Sequence, residues 1–200
     1  VLIPLAMDFM KHNPQVQVDL SFEDRYTDLV ANGIDVALRL GKLADSSLGA
    51  RMLGVNPWVL VASNTYLRKH GTPRRPSDLK EHSTLIYSSV QGNDIWRLRN
   101  ASGEPVSIPV TGRLRSNNLS ALLAAARSHM GIAALPRYVA QDSLKDGRVV
   151  EVLKTCRLHE QEIHAVYPSP RLVPQKVQSF IAFMQGKFDD AWWEELPRGG

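Results

Sequence analysis

One cysteine, Cys156, stands among 200 residues, which excludes an intramolecular disulfide and any cysteine-rich metal cluster and suits a reducing cytoplasm. Long apolar runs are missing too, since none approaches the roughly eighteen residues that a membrane-spanning helix requires. Residues 1–10 contain Pro4 and Asp8 and lack a basic leader, so no targeting signal is predicted. Lys and Arg are scattered and form no stripe, and the formal net charge of +4 reads as a solvated surface and not as a nucleic-acid face. Gly-x-Ser-x-Gly, Gly-x-x-x-x-Gly-Lys and Gly-x-Gly-x-x-Gly are all absent, which leaves hydrolase and nucleotide-binding readings without support. No internal repeat of solenoid length is present.

Two look-alikes of reactive sites fail on geometry. His159 and His164 enclose two glutamates, but their spacing is one residue longer than a zinc-binding His-Glu-x-x-His helix needs. The segment also reads as a strand, on which residues an odd number apart face opposite sides. Asp45-Ser46-Ser47 has the composition of a surface turn. No catalytic residue, metal site or cofactor is predicted.

What is present is ordinary globular material. A hydrophobic fraction of 44% and a charged fraction of 22% allow a core large enough to offset conformational entropy. The length fits one large α/β unit or two lobes of about 100 residues each.

Leu2, Leu5, Ala6 and Phe9 recur at helical spacing before His12-Asn13-Pro14 ends the pattern. An α/β unit normally opens on a strand, so the first strand is expected upstream of this chain. Val16, Val18, Leu20 and Phe22 alternate with polar residues and predict a strand, followed by a helix over residues 26–32 that Gly33 closes and a strand over residues 34–40. That order suggests a right-handed parallel crossover. Strands over 49–53 and 58–62 and helices over 65–69 and 77–81 come next. Two strands, 95–99 and 106–110, flank the hairpin turn Asn100-Ala101-Ser102-Gly103, with a further strand over 112–116. Asn117 or Asn118 caps a helix whose stripe is Leu119, Leu122, Leu123, Ala126 and Met130, stopped by Gly131. Ile132-Ala133-Ala134-Leu135 has the continuous apolar character of a strand covered on both faces. Strands near 149–153 and 162–167 precede a closing helix that carries Val177, Phe180, Ile181, Met184 and Phe188.

The small, polar stretch Ser88-Ser89-Val90-Gln91-Gly92-Asn93 suits a linker, and Pro168-Ser169-Pro170 suits a second crossing. The expected architecture is therefore α/β, with lobe I formed by residues 1–87 and 167–190, lobe II by 88–166, and a tail of 191–200. A ligand cleft is expected between the lobes.

In open α/β sheets ligands gather beyond the carboxyl ends of strands, near helix N-termini. Arg25, Arg39 with Gly41, and Asn117 with Asn118 fall at such ends. Arg39, set among apolar residues, pairs either with a protein carboxylate or with an anionic ligand. A helix cap needs one asparagine, which leaves the other's amide for a ligand. Trp96, Tyr87 and Tyr167 lie close to the two expected crossings and are candidates for cleft walls, with core packing as the alternative for Trp96.

The succession Phe9-Met10-Lys11-His12-Asn13-Pro14, Asp24-Arg25-Tyr26-Thr27-Asp28-Leu29-Val30 and Gly33-Ile34-Asp35-Val36-Ala37-Leu38-Arg39-Leu40-Gly41 resembles the effector-binding region of LysR-type transcriptional regulators. The likeness runs on through Asp45-Ser46-Ser47-Leu48, Tyr66-Leu67, His70-Gly71-Thr72-Pro73, Trp96-Arg97-Leu98, Gly131-Ile132-Ala133-Ala134-Leu135-Pro136 and Ala165-Val166-Tyr167-Pro168-Ser169. The order and spacing of these stretches carry the resemblance. It implies a periplasmic-binding-protein-like fold of type II, with two lobes joined by two hinge crossings and a small-molecule effector in the cleft. By residue, it implies effector contacts at Arg39 and Gly41, at Tyr87 and Ser88, and at Asn117 and Asn118. It also implies homodimers or tetramers through helices 2–11 and 119–130. DNA contact would fall to an N-terminal winged helix-turn-helix that this sequence does not contain.

The expected function is cytoplasmic effector sensing for a transcription regulator, without enzymatic turnover and without a membrane partner. A periplasmic solute-binding protein and a small enzyme on the same fold are the rival readings.

Overall fold

The computed structural model describes residues 2–22, 27–43, 46–88, 94–158, 160–189 and 191–194. Helix α1 (Leu2–His12) is followed by strands β1 (Ala37–Leu40), β2 (Gly49–Asn56) and β3 (Trp58–Ala62), then by α2 (Asn64–His70), a 3-10 turn at Pro76–Glu81 and β4 (Thr84–Tyr87). Strands β5 (Ile95–Arg99), β6 (Pro105–Pro109) and β7 (Leu114–Ser116) lead to α3 (Leu119–Arg127), β8 (Ile132–Pro136) and α4 (Arg137–Lys145). Then come β9 (Val150–Val152), β10 (Arg157–Leu158), β11 (Gln161–Tyr167), α5 (Gln175–Met184) and a 3-10 turn at Trp192–Glu194.

These elements form two compact units, one from Val1–Val55 with the stretch that begins at Gln161, the other from Asn56–Glu160. The sequence placed the divisions later, after residue 87 and at residue 167. The difference has a simple cause: β3 pairs with β8 on one side and β9 on the other, partners far along the chain that no local pattern reveals. Residues 58–87 therefore belong to the second unit. Of the polar run 88–93 taken for a linker, Ser88 follows β4 and residues 89–93 lie outside the described residues.

The first unit is built on a three-stranded sheet of order β1-β11-β2, in which β1 and β11 run antiparallel with Arg39 opposite His164. The helical repeat of α1 buries Ala6 and Phe9. Phe9 meets Phe180 edge-on at 5.2 Å and Phe183 at 5.4 Å, which docks α1 on α5. Helix α5 starts after Pro174, whose φ of −57° suits a helix entry, and buries Val177 and Met184. Beyond it, Phe188 bridges to Gly54, and Trp192 donates its indole N–H to Val55 O at 2.9 Å.

Two expectations fail in this unit. Residues 16–22 keep their period-two pattern but form no strand, and Leu20 and Phe22 are exposed. A strand exists only within a ladder, and no partner strand is present among the described residues. The predicted parallel crossover is accordingly absent there, since β1 pairs antiparallel with β11. The described part of the predicted helix over 26–32 is one capped turn. Asp28 Oδ1 accepts from Val30 N and Ala31 N, and the Ile34 N to Leu29 O and Gly33 N to Val30 O bonds close it, with Gly33 at φ +63°.

The second unit is a five-stranded sheet of order β7-β4-β8-β3-β9 covered on both faces. Strands β7, β4 and β8 run parallel, while β3 is antiparallel to both its neighbours. One face meets Tyr66 and Leu67 of α2, Leu79 of the 3-10 turn, and Trp96, Leu98 and Ile108 from the small antiparallel sheet β10-β5-β6. The other meets Leu122, Ala125 and Ala126 of α3 and Ala140 of α4. All five residues of β8 are buried, as its unbroken apolar run predicts. The expected hairpin is also present: Asn100 Oδ1 accepts from Ser102 N and Glu104 N, and Gly103 takes φ +83°.

Helix α3 ends differently from expectation. The residue in the left-handed conformation is His129, at φ +64°, and Met130 N and His129 N donate to Ala125 O and Ala126 O. Gly131 serves close approach instead, because a Cβ there would stand 2.4 Å from Ser83 O.

A buried polar network joins α2 to the start of β4. Tyr66 Oη accepts from Ser83 N at 2.9 Å and lies 3.2 Å from His82 Nδ1. Burial, and then the nearby His70, hold the His82 imidazole below its ordinary value, against the opposing pull of Asp78 and Glu81. An unfolded chain takes up that proton first as pH falls. Stability contributed by neutral His82 is therefore complete above about pH 6.5 and is lost as pH falls through the lower folded value. Thermal melts between pH 7.5 and 5 should show this loss, and His82→Gln, which keeps an acceptor but does not titrate, should flatten it. An unchanged slope in the variant would assign the acid sensitivity elsewhere.

Candidate functional site

In the second unit the carboxyl ends of three parallel strands converge. Tyr87 ends β4, Ser116 ends β7 and Pro136 ends β8, while Trp58 opens antiparallel β3 directly opposite Pro136. Helices α3 and α4 begin at the same edge, so their unpaired N–H groups and positive dipole ends face it. This is the position that open α/β sheets use for ligands.

Each side chain at this rim has a definite local role. Asn118 is the cap of α3: its Oδ1 accepts from Ala121 N at 3.1 Å, and its own N–H donates to Ser116 Oγ at 3.0 Å. Asn117 is exposed and is not the cap. Ser88 N donates to Ser116 O at 2.9 Å and extends the β4–β7 ladder, so its amide is already used. The rings of Tyr87 and Trp58 lie 6.0 Å apart, tilted at 52°. Tyr138, in the first turn of α4, has its hydroxyl pushed up by burial and then by the neighbouring Tyr87. It therefore stays protonated near neutrality, as a donor. Arg137 pairs with Glu151 at 3.0 Å, both half-buried, and Arg137 N donates to Pro57 O.

The first unit carries a smaller polar group at the end of β1. Arg39 is half-buried and donates Nη2 to Thr27 O at 2.9 Å. Its cross-strand neighbour His164 lies 3.6 Å from Glu162 through Nε2. The buried Nδ1 of His164 has no hydrogen-bond partner among the described residues. Gly41 takes φ +100°, where a side chain would be strained, and its N–H donates to Glu162 O at 2.8 Å. Tyr167 ends β11, with its ring over Gly49.

Of the sequence-predicted site residues, the second unit gathers Tyr87, Ser88, Asn117 and Asn118 at one rim, whereas the first unit has Arg39 in β1 with Gly41 just after it and Tyr167 at the other end of the antiparallel β1–β11 pair. Trp96 is 6% exposed and belongs to the core of the second unit, because β5 alternates strictly and turns it inward. Arg25 lies outside the described residues. Trp58 and Tyr138 were missed. Trp58 read as a plain strand residue, and the segment of α4, where Ala140 and Leu144 one turn apart pack on the core, was not read as a helix.

Comparison with known proteins decides the family. Residues 1–189 match the LysR substrate binding domain. The chain belongs to the LysR family. This LysR domain is 32% identical to an uncharacterized HTH-type transcriptional regulator of Haemophilus influenzae over 88% of its own length and 61% of that protein's. It is also 32% identical to the HTH-type transcriptional activator AaeR of Escherichia coli, covering 90% of itself and 58% of AaeR. The LysR domain thus spans less than two thirds of each relative. Among solved structures it resembles the full-length Vibrio cholerae virulence activator AphB, with a TM-score of 0.80, 30% identity and coverage of 93% of this chain and 63% of that one. It resembles the CrgA regulatory domain of Neisseria meningitidis with a TM-score of 0.78 at 28% identity, covering 92% of itself and 90% of that chain. The fold is the type II periplasmic-binding-protein-like fold of LysR-type regulatory domains, and its role is effector sensing. The relatives are transcriptional regulators. Among the described residues no helix is long and apolar enough to cross a membrane.

Proposed function

We propose that this LysR domain serves a cytoplasmic regulator as its non-enzymatic sensor of a small anionic effector, through the polar rims that its two units carry. The rim of the second unit supports this most directly: three parallel strand ends and two helix N-termini meet there beside Tyr87, Trp58 and the protonated Tyr138. In the first unit, the buried Nδ1 of His164 beside Arg39 is the kind of polar atom that a bound molecule completes. DNA binding, in this reading, belongs to a winged helix-turn-helix outside the chain, in keeping with relatives named as HTH-type regulators. Homodimers or tetramers form through α1 and α3. Ile3, Met7 and Met10 make an exposed apolar stripe on α1, and Met130 is exposed just past α3.

Titration of the chain with aromatic and aliphatic carboxylic acids, followed by thermal shift and by tryptophan fluorescence, tests the reading. Saturable binding by at least one acid is expected, weakened about tenfold by Tyr87→Ala and by Arg39→Gln, or about 1.4 kcal/mol each. Asn117→Ala should weaken binding and leave the melt unchanged, whereas Asn118→Ala should cost α3 about 1 kcal/mol of stability as a lost cap. Affinity untouched by all these substitutions would remove the effector from these rims, and turnover of a bound acid would make the domain an enzyme.

A further inference from the structure

The second unit has another opening, at the opposite ends of β4 and β7 from the rim described above. It is a cavity of about 540 Å³ with Leu85, Leu114 and Met130 among its walls. We propose that it binds a free amino acid, whose carboxylate is held by Arg113 and whose ammonium group is held by Glu81.

The charges carry the first step. Arg113 and Glu81 both line the cavity and both are exposed, Glu81 acts on the nearby His82 only through its charge, and neither side chain has a hydrogen bond or ion pair with another described residue. Other exposed or half-buried opposite charges do pair, as in Arg137 with Glu151 at 3.0 Å, Lys176 with Asp35 at 2.6 Å, and Arg115, two residues beyond Arg113, with Asp94. A guanidinium and a carboxylate that line one cavity without pairing match a ligand that bears both charges. A purely anionic ligand would leave Glu81 as a repulsive neighbour. Leu85, Leu114 and Met130 offer apolar surface for the ligand's side chain, and the volume falls within the roughly 300–1,000 Å³ of small-molecule sites.

The wall is also held by ring stacking and hydrogen bonds and, at one point, strained. His70 stacks on Tyr66 with centroids 4.6 Å apart, and the Tyr66 hydroxyl is fixed by Ser83 N and the His82 ring. His129 lines the cavity in the left-handed conformation, at a helix end where glycine is the usual occupant, with Nδ1 2.7 Å from Ser63 Oγ. A side chain kept at a position where it is strained points to a use for that side chain.

Calorimetric titration of the chain with L-leucine, L-methionine and L-phenylalanine provides the test, with N-acetyl-L-leucine lacking the ammonium group and L-leucinamide lacking the carboxylate as controls. Saturable binding of at least one free amino acid is expected. Arg113→Gln and Glu81→Gln should each weaken it at least tenfold, the blocked derivatives should bind at least tenfold less tightly than leucine, and Arg39→Gln should change nothing. Both substituted side chains are exposed, so the variants should melt with the parent chain. The proposal is overturned by silence from all three amino acids at millimolar concentration, or by equal affinity for the blocked forms. Binding lost with Arg39→Gln or Tyr87→Ala and kept with Arg113→Gln would move the ligand to the effector rims and also overturn it.

Discussion

Gly112→Ala destabilises the second unit by about 3 kcal/mol, at the upper end of what overpacking a closed interior costs. A Cβ at this position would lie 1.8 Å from Thr84 O and 2.8 Å from Thr84 C, and both are backbone atoms that no rotamer change can move. Thr84 is fully buried, and its N–H and hydroxyl both donate to Thr111 O, at 3.1 and 2.9 Å. Relief therefore requires β4 and β7 to part, which disturbs the register from Leu85 opposite Leu114 to Tyr87 opposite Ser116. The effector rim stands on the far end of those strands, so ligand response should weaken with stability. Gly103→Ala separates space from backbone conformation: it meets nothing within 4 Å but sits at φ +83°, so it should cost only about 1 kcal/mol. Urea unfolding followed by tryptophan fluorescence checks both, and equal losses would show that the Gly112 approach is not what limits this site.

The same comparison shows which features local sequence makes visible. Strands β3, β8 and β11, the hairpin at Asn100 and the cap of α3 are written in alternation, unbroken apolar runs and single polar residues, all signals shorter than ten or so residues. The division into units is not, because it depends on β3 finding β8 and β9, and a local pattern names no partner. The polar run at residues 88–93 therefore looked like the crossing although the strand before it already belonged to the second unit. At the rim, Asn117 and Asn118 stood out because they follow a predicted strand, and Tyr87 because it adjoins the expected crossing. Tyr138 and Trp58 did not, since their relevance comes from the β3–β8 pairing that brings Trp58 opposite Pro136. Trp96 misled for the reverse reason, an aromatic near an expected crossing that its strand turns into the core.

Phe9→Ala lowers the stability of the first unit by about 3–5 kcal/mol, the usual loss for an aromatic removed from a closed interior. Phe9 is 1% exposed, and the aromatic contacts with Phe180 and Phe183 add to its apolar burial. An eleven-residue helix is marginal by itself in water, so α1 holds its form through this docking on α5. Its outer face, with Ile3, Met7 and Met10 exposed, is the surface proposed for association with another copy. Phe9→Ala should thus reduce stability and association together, whereas Met7→Gln should reduce association and leave the melt where it was. Sedimentation and denaturant unfolding of both variants separate the two faces. A Phe9→Ala loss below about 1 kcal/mol would mean that α1 does not dock on α5 in solution, and unchanged sedimentation of Met7→Gln would remove α1 from the proposed interface. One ring inside and three side chains outside make opposite demands on the same short helix, and the inner demand comes first because without it there is no face to present.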